Sequence, residues 1–70
     1  MKTNIYLVTF DNHEYPEDRQ EYNEVVDALT PEEAKQKALE RFGAYDFKRM
    51  QEYPWTIQAS LCYENVILSK

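Results

Sequence analysis

Residues 21–34 read EYNEVVDALTPEEA, and a helix start inside this stretch decides the fold. Thr30 can cap a helix, Pro31 suits the first helical position, and Glu33 completes a capping box. Pro31 also disfavours helical geometry at the residue before it. The sequence therefore predicts a helix that begins at Pro31 and an extended or turn conformation at Thr30.

Residues 20–29, just before that start, allow two interpretations. Their apolar side chains recur at the spacing of a helical stripe, at Tyr22, Val25, Val26 and Leu29. A helix ending at Leu29 would meet the next helix without a loop between them. We therefore favour a strand over residues 20–29, paired with an earlier strand, and a helix remains the alternative.

The earlier strand is Ile5–Phe10, which is apolar on both faces and so predicts a central strand or one covered on both sides. The helix is expected to run from Pro31 to about Phe42 and to end at Gly43, the one glycine of the chain. Tyr45–Tyr53 is interpreted as a connector that could contain one helical turn. The buried stripe of the helix is predicted to consist of Ala34, Ala38, Leu39 and Phe42.

The clearest strand follows Pro54, because apolar and polar residues alternate strictly there. Its predicted inward side chains are Trp55, Ile57, Ala59, Leu61 and Tyr63. Glu64–Asn65 could turn the chain into a short final strand at Val66–Leu68. The predicted fold class is α+β: a small β-β-α-β(β) domain, with one helix packed on a three- or four-stranded antiparallel or mixed sheet.

A chain of 70 residues predicts a single domain spanning residues 1–70. Domains this small seldom gain more than about 3–5 kcal/mol from one core. The lone Cys62 cannot form an internal disulfide, and one cysteine with one histidine is too few for structural zinc. Ten aromatic residues are many for so small a core, and self-association would give some of them partners. A homodimer is therefore expected.

The charge of the chain is unevenly distributed. Residues 11–33 hold nine acidic residues against one base, Arg19, for a net charge of −8, whereas the rest of the chain is +3. Such a field repels nucleic acid and attracts basic surfaces. Direct binding to DNA or RNA is therefore not expected, and a basic protein is the expected partner.

No catalytic apparatus is visible, so the chain is not expected to be an enzyme. His13 lies in an acidic loop, and the sequence supplies no neighbour that would activate the Cys62 thiol. One glycine cannot build a phosphate-binding loop. The acidic loop does not match an EF-hand, so neither a metal site nor a cofactor is expected. The sequence shows no secretory signal and no membrane-spanning run, and with a free cysteine this predicts a cytoplasmic protein without membrane contact.

The run Val25–Ala34, a strand leading through a capped turn into a helix, resembles a pattern common in small β-β-α-β proteins of phages and mobile elements. In size, acidity and lack of catalytic residues, the chain is similar to phage host-takeover proteins, some of which are DNA mimics. That class shares a physical strategy and no motif, so it assigns no functional residue here.

These observations predict a non-enzymatic, phage-type inhibitor that occupies the basic surface of a host DNA-binding protein. Carboxylates along a strand can approximate the spacing of DNA phosphates, about 3.4 Å per residue in both cases. The predicted partner-binding residues are Asp11, Glu14, Tyr15, Glu17, Asp18, Glu21, Tyr22, Glu24 and Asp27.

The alternative function is a structural or assembly module whose acidic face serves only solubility and protects an exposed strand from pairing. In this interpretation the sheet or an aromatic connector makes the contact. Trp55 is expected to point into the core. Core and dimer contact are left open as roles for the aromatic residues of the connector, Tyr45, Phe47 and Tyr53.

Overall fold

A computed structural model describes residues 2–12 and 20–68. Its elements, in chain order, are β1 (Lys2–Asp11), β2 (Glu21–Ala28), α1 (Pro31–Glu52) and β3 (Thr56–Ile67). The three strands form one sheet in the order β2-β1-β3, and both neighbouring pairs are antiparallel. The predicted α+β class, with one helix on an antiparallel sheet, is confirmed.

The core lies between α1 and one face of the sheet. Tyr6, Val8 and Phe10 of the central strand point towards the helix and are buried. The predicted stripe of α1 meets them, although Leu39 is only partly buried beside it. Small residues on this stripe let the helix approach the sheet closely. The buried hydrophobic residues are Tyr6, Val8, Phe10, Val26, Ala28, Ala34, Ala38 and Phe42.

The strand interpretation of residues 20–29 is confirmed by β2, which pairs with β1 from Asp11↔Glu21 to Asn4↔Ala28. Thr30 adopts an extended conformation, with φ −137° and ψ 157°, and its Oγ1 accepts a hydrogen bond from the Glu33 amide at 3.1 Å. The capped start of α1 therefore excludes a continuous helix through residue 30.

The predicted helix end at Gly43 is wrong, and so is the connector at Tyr45–Tyr53. The helix continues to Glu52 and is interrupted only at Asp46, where φ is −154° and ψ is 79°. The Asp46 Oδ1 accepts a hydrogen bond from the Arg49 amide at 3.1 Å, as an N-cap does, and this restarts the helix. Gly43 has no positive φ and lies inside the helix.

We expect Gly43→Ala to stabilise the protein by up to about 1 kcal/mol, since glycine costs that much in a helix interior. The new Cβ would lie 3.3 Å from the Met50 Sδ, at the flexible end of a side chain that can shift. Urea denaturation measures the change. The reverse substitution at its exposed helical neighbour, Ala44→Gly, should lose a similar amount. A destabilised Gly43→Ala would instead show that the Met50 side chain does not move away from the added Cβ.

The last strand also differs from the prediction, because no turn forms at Glu64–Asn65 and β3 continues to Ile67. The pairing of β3 with β1 shifts register twice, between Thr3 and Ile5 and between Ile5 and Tyr6, so β3 uses more residues than β1 over this stretch. Asn65, in the same part of β3, has a positive φ of 55°. Because each one-residue shift reverses the faces of the residues beyond it, Tyr63 lies opposite Ile5 and not among the helix-facing residues.

The predicted inward face of β3 is thus only partly confirmed. Trp55, Ile57 and Ala59 pack against the core, whereas Leu61 and Tyr63 are 52% and 68% exposed.

Candidate binding surface

The predicted partner-binding residues do not form one surface in the part of the chain that the structure describes. Glu14, Tyr15, Glu17 and Asp18 lie outside the described residues. Asp11 is 7% exposed at the end of the central strand, so it offers little surface to a partner. The remaining four residues, Glu21, Tyr22, Glu24 and Asp27, lie on β2.

The three acids of β2 divide between the two faces of the sheet. Glu24 lies opposite Val8, which points towards the helix. Glu21 and Asp27 lie opposite Asp11 and Ile5, on the face that α1 does not cover. The alternation of side chains along a strand causes this division. A partner that approached from one side would therefore meet only part of the set.

Cations of α1 balance several of these acids within the molecule. The Arg41 guanidinium lies 3.5 Å from the Glu24 carboxylate, and the Lys37 ammonium lies 3.5 Å from those of both Asp27 and Glu33. Glu33 and Lys37 are four residues apart on the helix, a spacing at which opposite charges attract favourably. Each pair is partly exposed and adds little stability by itself. Their main effect is to make β2 less negative than its sequence suggests.

The same helix side chains cover the outer edge of β2 by hydrogen-bonding its backbone. Lys37 donates a hydrogen bond to the carbonyl oxygen of Asp27 at 2.6 Å, and Arg41 donates one to that of Val25 at 3.0 Å. Arg49 donates a third to the carbonyl oxygen of Glu21 at 3.3 Å. The cations therefore occupy acceptors that another strand would need. We call this the covered edge.

Tyr22 belongs to the core more than to a contact surface. Its ring stacks on Phe42 with centroids 4.0 Å apart, and its hydroxyl donates to the Glu24 carboxylate at 2.7 Å. Burial, and then this hydrogen bond, raise the pKa of Tyr22 to about 12. The neutral hydroxyl is thus stabilised as an internal donor to Glu24.

The aromatic residues near the end of α1 separate into two groups. Trp55 faces the core, as expected. Its ring centroid lies 5.3 Å from that of Phe42, and its indole N–H donates a hydrogen bond to the Met50 carbonyl oxygen at 3.0 Å. Tyr53 packs edge-on against Trp55 at 5.5 Å. In contrast, Tyr45 and Phe47 are 75% and 57% exposed on the helix. Core packing thus accounts for the first group, and Tyr45 and Phe47 remain as surface groups.

Arg49 joins this aromatic group to Gln20, the residue just before β2. Its guanidinium carbon lies 5.7 Å from the ring centroids of both Phe42 and Trp55, within the range of a cation–π contact. Its Nε donates to the Gln20 side-chain oxygen at 2.6 Å, and the Gln20 amide donates to the Tyr53 hydroxyl at 2.9 Å. The Gln20 backbone N–H in turn donates to the side-chain oxygen of buried Asn12. These contacts tie the second segment of α1 to the start of β2.

The face of the sheet opposite α1 has an apolar centre, which we call the open face and define by Ile5, Leu7, Val25 and Tyr63. Leu7 lies directly opposite Val25, which is 58% exposed, and Ile5 lies opposite Tyr63. Ile5 and Leu7 themselves are half-buried. No described element covers these residues. Polar residues surround this centre: Thr9, Asn23, Asp27, Gln58 and Ser60.

The sequence carried a signal for the open face. Ile5–Val8 is apolar at four consecutive positions, which a central strand with one wet face does not require. We expected such a strand to be central or covered on both sides; it is central, but α1 covers only one side. The contribution of Lys37, Arg41 and Arg49 to the covered edge had no comparable signal, because it depends on how the helix lies across β2.

Within residues 2–12 and 20–68, no group of three or more histidine, cysteine, aspartate or glutamate side chains is placed to hold a metal ion. Among the described residues, the helix α1 lacks the long apolar stretch that a membrane-spanning helix needs. Cys62 is exposed on β3.

Comparison with protein-family models finds no match, and neither the curated proteins nor the solved structures give one.

Proposed function

We propose that this protein is a non-enzymatic interaction module that binds a protein partner through the open face of its sheet. The observation that carries the proposal is the apolar group of Ile5, Leu7 and Val25 on a face that α1 does not cover. Grouped apolar surface with a polar surround is typical of protein contact sites. The partner would present an apolar patch of its own, surrounded by polar groups.

The arrangement of the acids supports this proposal over one based on charge. Asp11 is buried, and Glu24, Asp27 and Glu33 have helix cations beside them. Acids and cations together also protect the β2 edge, which is a recognised means of keeping a sheet from pairing wrongly. In this proposal the acidic residues of segment 11–33 keep the protein soluble and help to prevent the β2 edge from pairing with another strand.

The second candidate is the acidic inhibitor that the resemblance to phage host-takeover proteins implies. It is favoured by the net charge of −8 over residues 11–33. Its mechanism is competition with DNA for the basic surface of a host protein, with aromatic contact from Tyr15. Its binding should weaken steeply with salt, because it would replace contacts that release counterions from DNA.

Affinity capture from a bacterial lysate, with mass spectrometry of the retained protein, separates the two candidates. The open-face variant is Val25→Lys, and its control is Phe47→Lys, which makes the same charge change at a residue of similar exposure, 57% against 58%, on the helix. The acidic variant combines Glu17→Lys, Asp18→Lys and Glu21→Lys. Each is compared at about 50 and about 500 mM salt.

We expect Val25→Lys to reduce the retained partner about tenfold or more, since burying an unpaired ammonium in an apolar contact is unfavourable. Phe47→Lys and the acidic variant should retain it, and high salt should change little. Loss of the partner with the acidic variant and at high salt, but not with Val25→Lys, would reject the open face and support the inhibitor. Equal loss with Phe47→Lys would also reject the open face.

A further inference from the structure

The two outer edges of the sheet differ in how they are closed. Three helix cations hydrogen-bond the outward carbonyls of β2 at the covered edge. Within the described residues, no side chain of α1 hydrogen-bonds the backbone of β3. An edge strand presents a row of backbone groups ready to pair with another strand. Only β2 therefore has helix side chains that oppose such pairing.

The composition of β3 also lacks the usual protection of an edge strand. Residues 56–63 read TIQASLCY, with no charge, no proline and no glycine. Natural edge strands are commonly kept apart by lysine, proline, bulges or short length. β3 has twelve residues, and its register shifts against β1 lie beyond Leu61. The stretch Thr56–Leu61, which pairs with β1 without interruption, is thus a regular and uncharged outer edge.

We propose that Thr56–Leu61 pairs antiparallel with the same stretch of a second copy, which makes one six-stranded sheet in the order β2-β1-β3-β3-β1-β2. A two-fold axis uses the same patch on both copies, so the patch must be compatible with itself. An uncharged strand meets this condition, since no like charges come to lie opposite each other. The exposed Leu61 side chain lies at the end of this stretch, where a second copy would shield it.

The distribution of charge favours a second copy over a basic partner at this edge. In the six-stranded sheet the acidic β2 strands lie at the two outer ends, five strand spacings or about 24 Å apart. That distance exceeds the screening length of about 8 Å at physiological salt, so the two β2 strands barely repel each other. A basic protein would instead be drawn to the acidic side of the sheet, where β2 lies.

This inference does not rest on the proposed function. Both open faces remain exposed in the six-stranded sheet, because pairing at the edge uses backbone groups. The two open faces also lie on the same side, since a two-fold axis that joins two strands in one sheet is perpendicular to it.

The test is analytical ultracentrifugation of the purified protein without any partner, over concentrations up to about 1 mM. The edge variant combines Gln58→Lys with Ser60→Lys, and the matched control combines Asn23→Lys with Val25→Lys on β2. All four positions are on outer strands and directed towards the open-face side. Circular dichroism confirms that both variants keep the fold.

We expect a wild-type dimer whose dissociation constant rises about tenfold or more in the edge variant, because like charges then meet across the axis. The control should stay within about twofold of wild type. An equal mixture of isotope-labelled and unlabelled protein should show nuclear Overhauser contacts between copies within residues 56–61. A monomer at every concentration would overturn the proposal. A dimer lost in the control as much as in the edge variant would also overturn it and indicate contact through the open faces.

Discussion

Replacing Phe42 with alanine should leave a large part of the protein unfolded at 25 °C. Phe42 is fully buried, and its ring stacks on that of Tyr22. Its ring centroid lies 5.2 Å from that of Phe10 and 5.3 Å from that of Trp55. A buried phenylalanine replaced by alanine costs about 3–5 kcal/mol, from lost burial and the cavity left behind. That equals the whole stability of about 3–5 kcal/mol that a core of this size supplies.

The matched control is Phe47→Ala, which removes the same ring from an exposed position of the same helix. Surface substitutions of this kind usually change stability by no more than about 0.5 kcal/mol. Urea denaturation followed by far-ultraviolet circular dichroism compares the two variants with wild type. A Phe42→Ala protein within about 1 kcal/mol of wild type would show that the ring cluster does not anchor the helix.

Ala38→Leu should destabilise the protein by about 1–3 kcal/mol, because added methylene groups have no room in a close-packed interior. Ala38 is fully buried where α1 contacts the sheet, beside the stripe residues Ala34 and Phe42. For a domain of this size, each kcal/mol lowers the Tm by about 4–8 °C. Thermal denaturation followed by circular dichroism measures the shift.

The same substitution at Ala44, an exposed position of α1, provides the comparison. Alanine and leucine have similar helix propensities, so Ala44→Leu should leave the Tm almost unchanged. The difference between the two variants therefore isolates the packing of α1 against the sheet. If Ala38→Leu also left the Tm unchanged, the helix would lie farther from the sheet than the buried alanines indicate.

Local signals in the sequence were sufficient for the first half of the fold. The helix start at Pro31 could be predicted because Thr30, Pro31 and Glu33 act within one turn of the chain. Once that start was placed, β2 followed, since no loop remained for a second helix. Apolar residues on both faces of β1 predicted a central strand or one covered on both sides, and β1 is the central strand.

The second half depended on contacts that local patterns do not contain. Helices commonly end at a glycine, but the helix does not end at Gly43 because the Asp46 side chain caps a second helical segment. Contacts of Trp55 and Arg49 hold this second segment on the core. The predicted turn at Glu64–Asn65 failed because turn-forming residues are also tolerated in a bulged strand.

The candidate site was predicted less well than the fold. Charge counting treated residues 11–33 as one surface, whereas the two-residue period of β2 sends Glu24 to one face and Glu21 and Asp27 to the other. That division could have been read from the sequence once the strand was assigned. The ion pairs with Lys37 and Arg41 could not, because they depend on where the helix crosses β2.

The pairing of β1 with β3 has a consequence for how the chain reaches its fold during synthesis. Lys2 lies opposite Ile67, so the sheet joins segments from nearly the two limits of these 70 residues. Contacts between residues so distant along the chain form late and slow the folding of a domain. During synthesis, β1 could pair with β2 early, but β3 would be absent until the chain had left the ribosome as far as Ile67. During that interval the nascent chain would present the central strand as an open edge, and a chaperone that binds extended apolar segments would find its target at Ile5–Phe10.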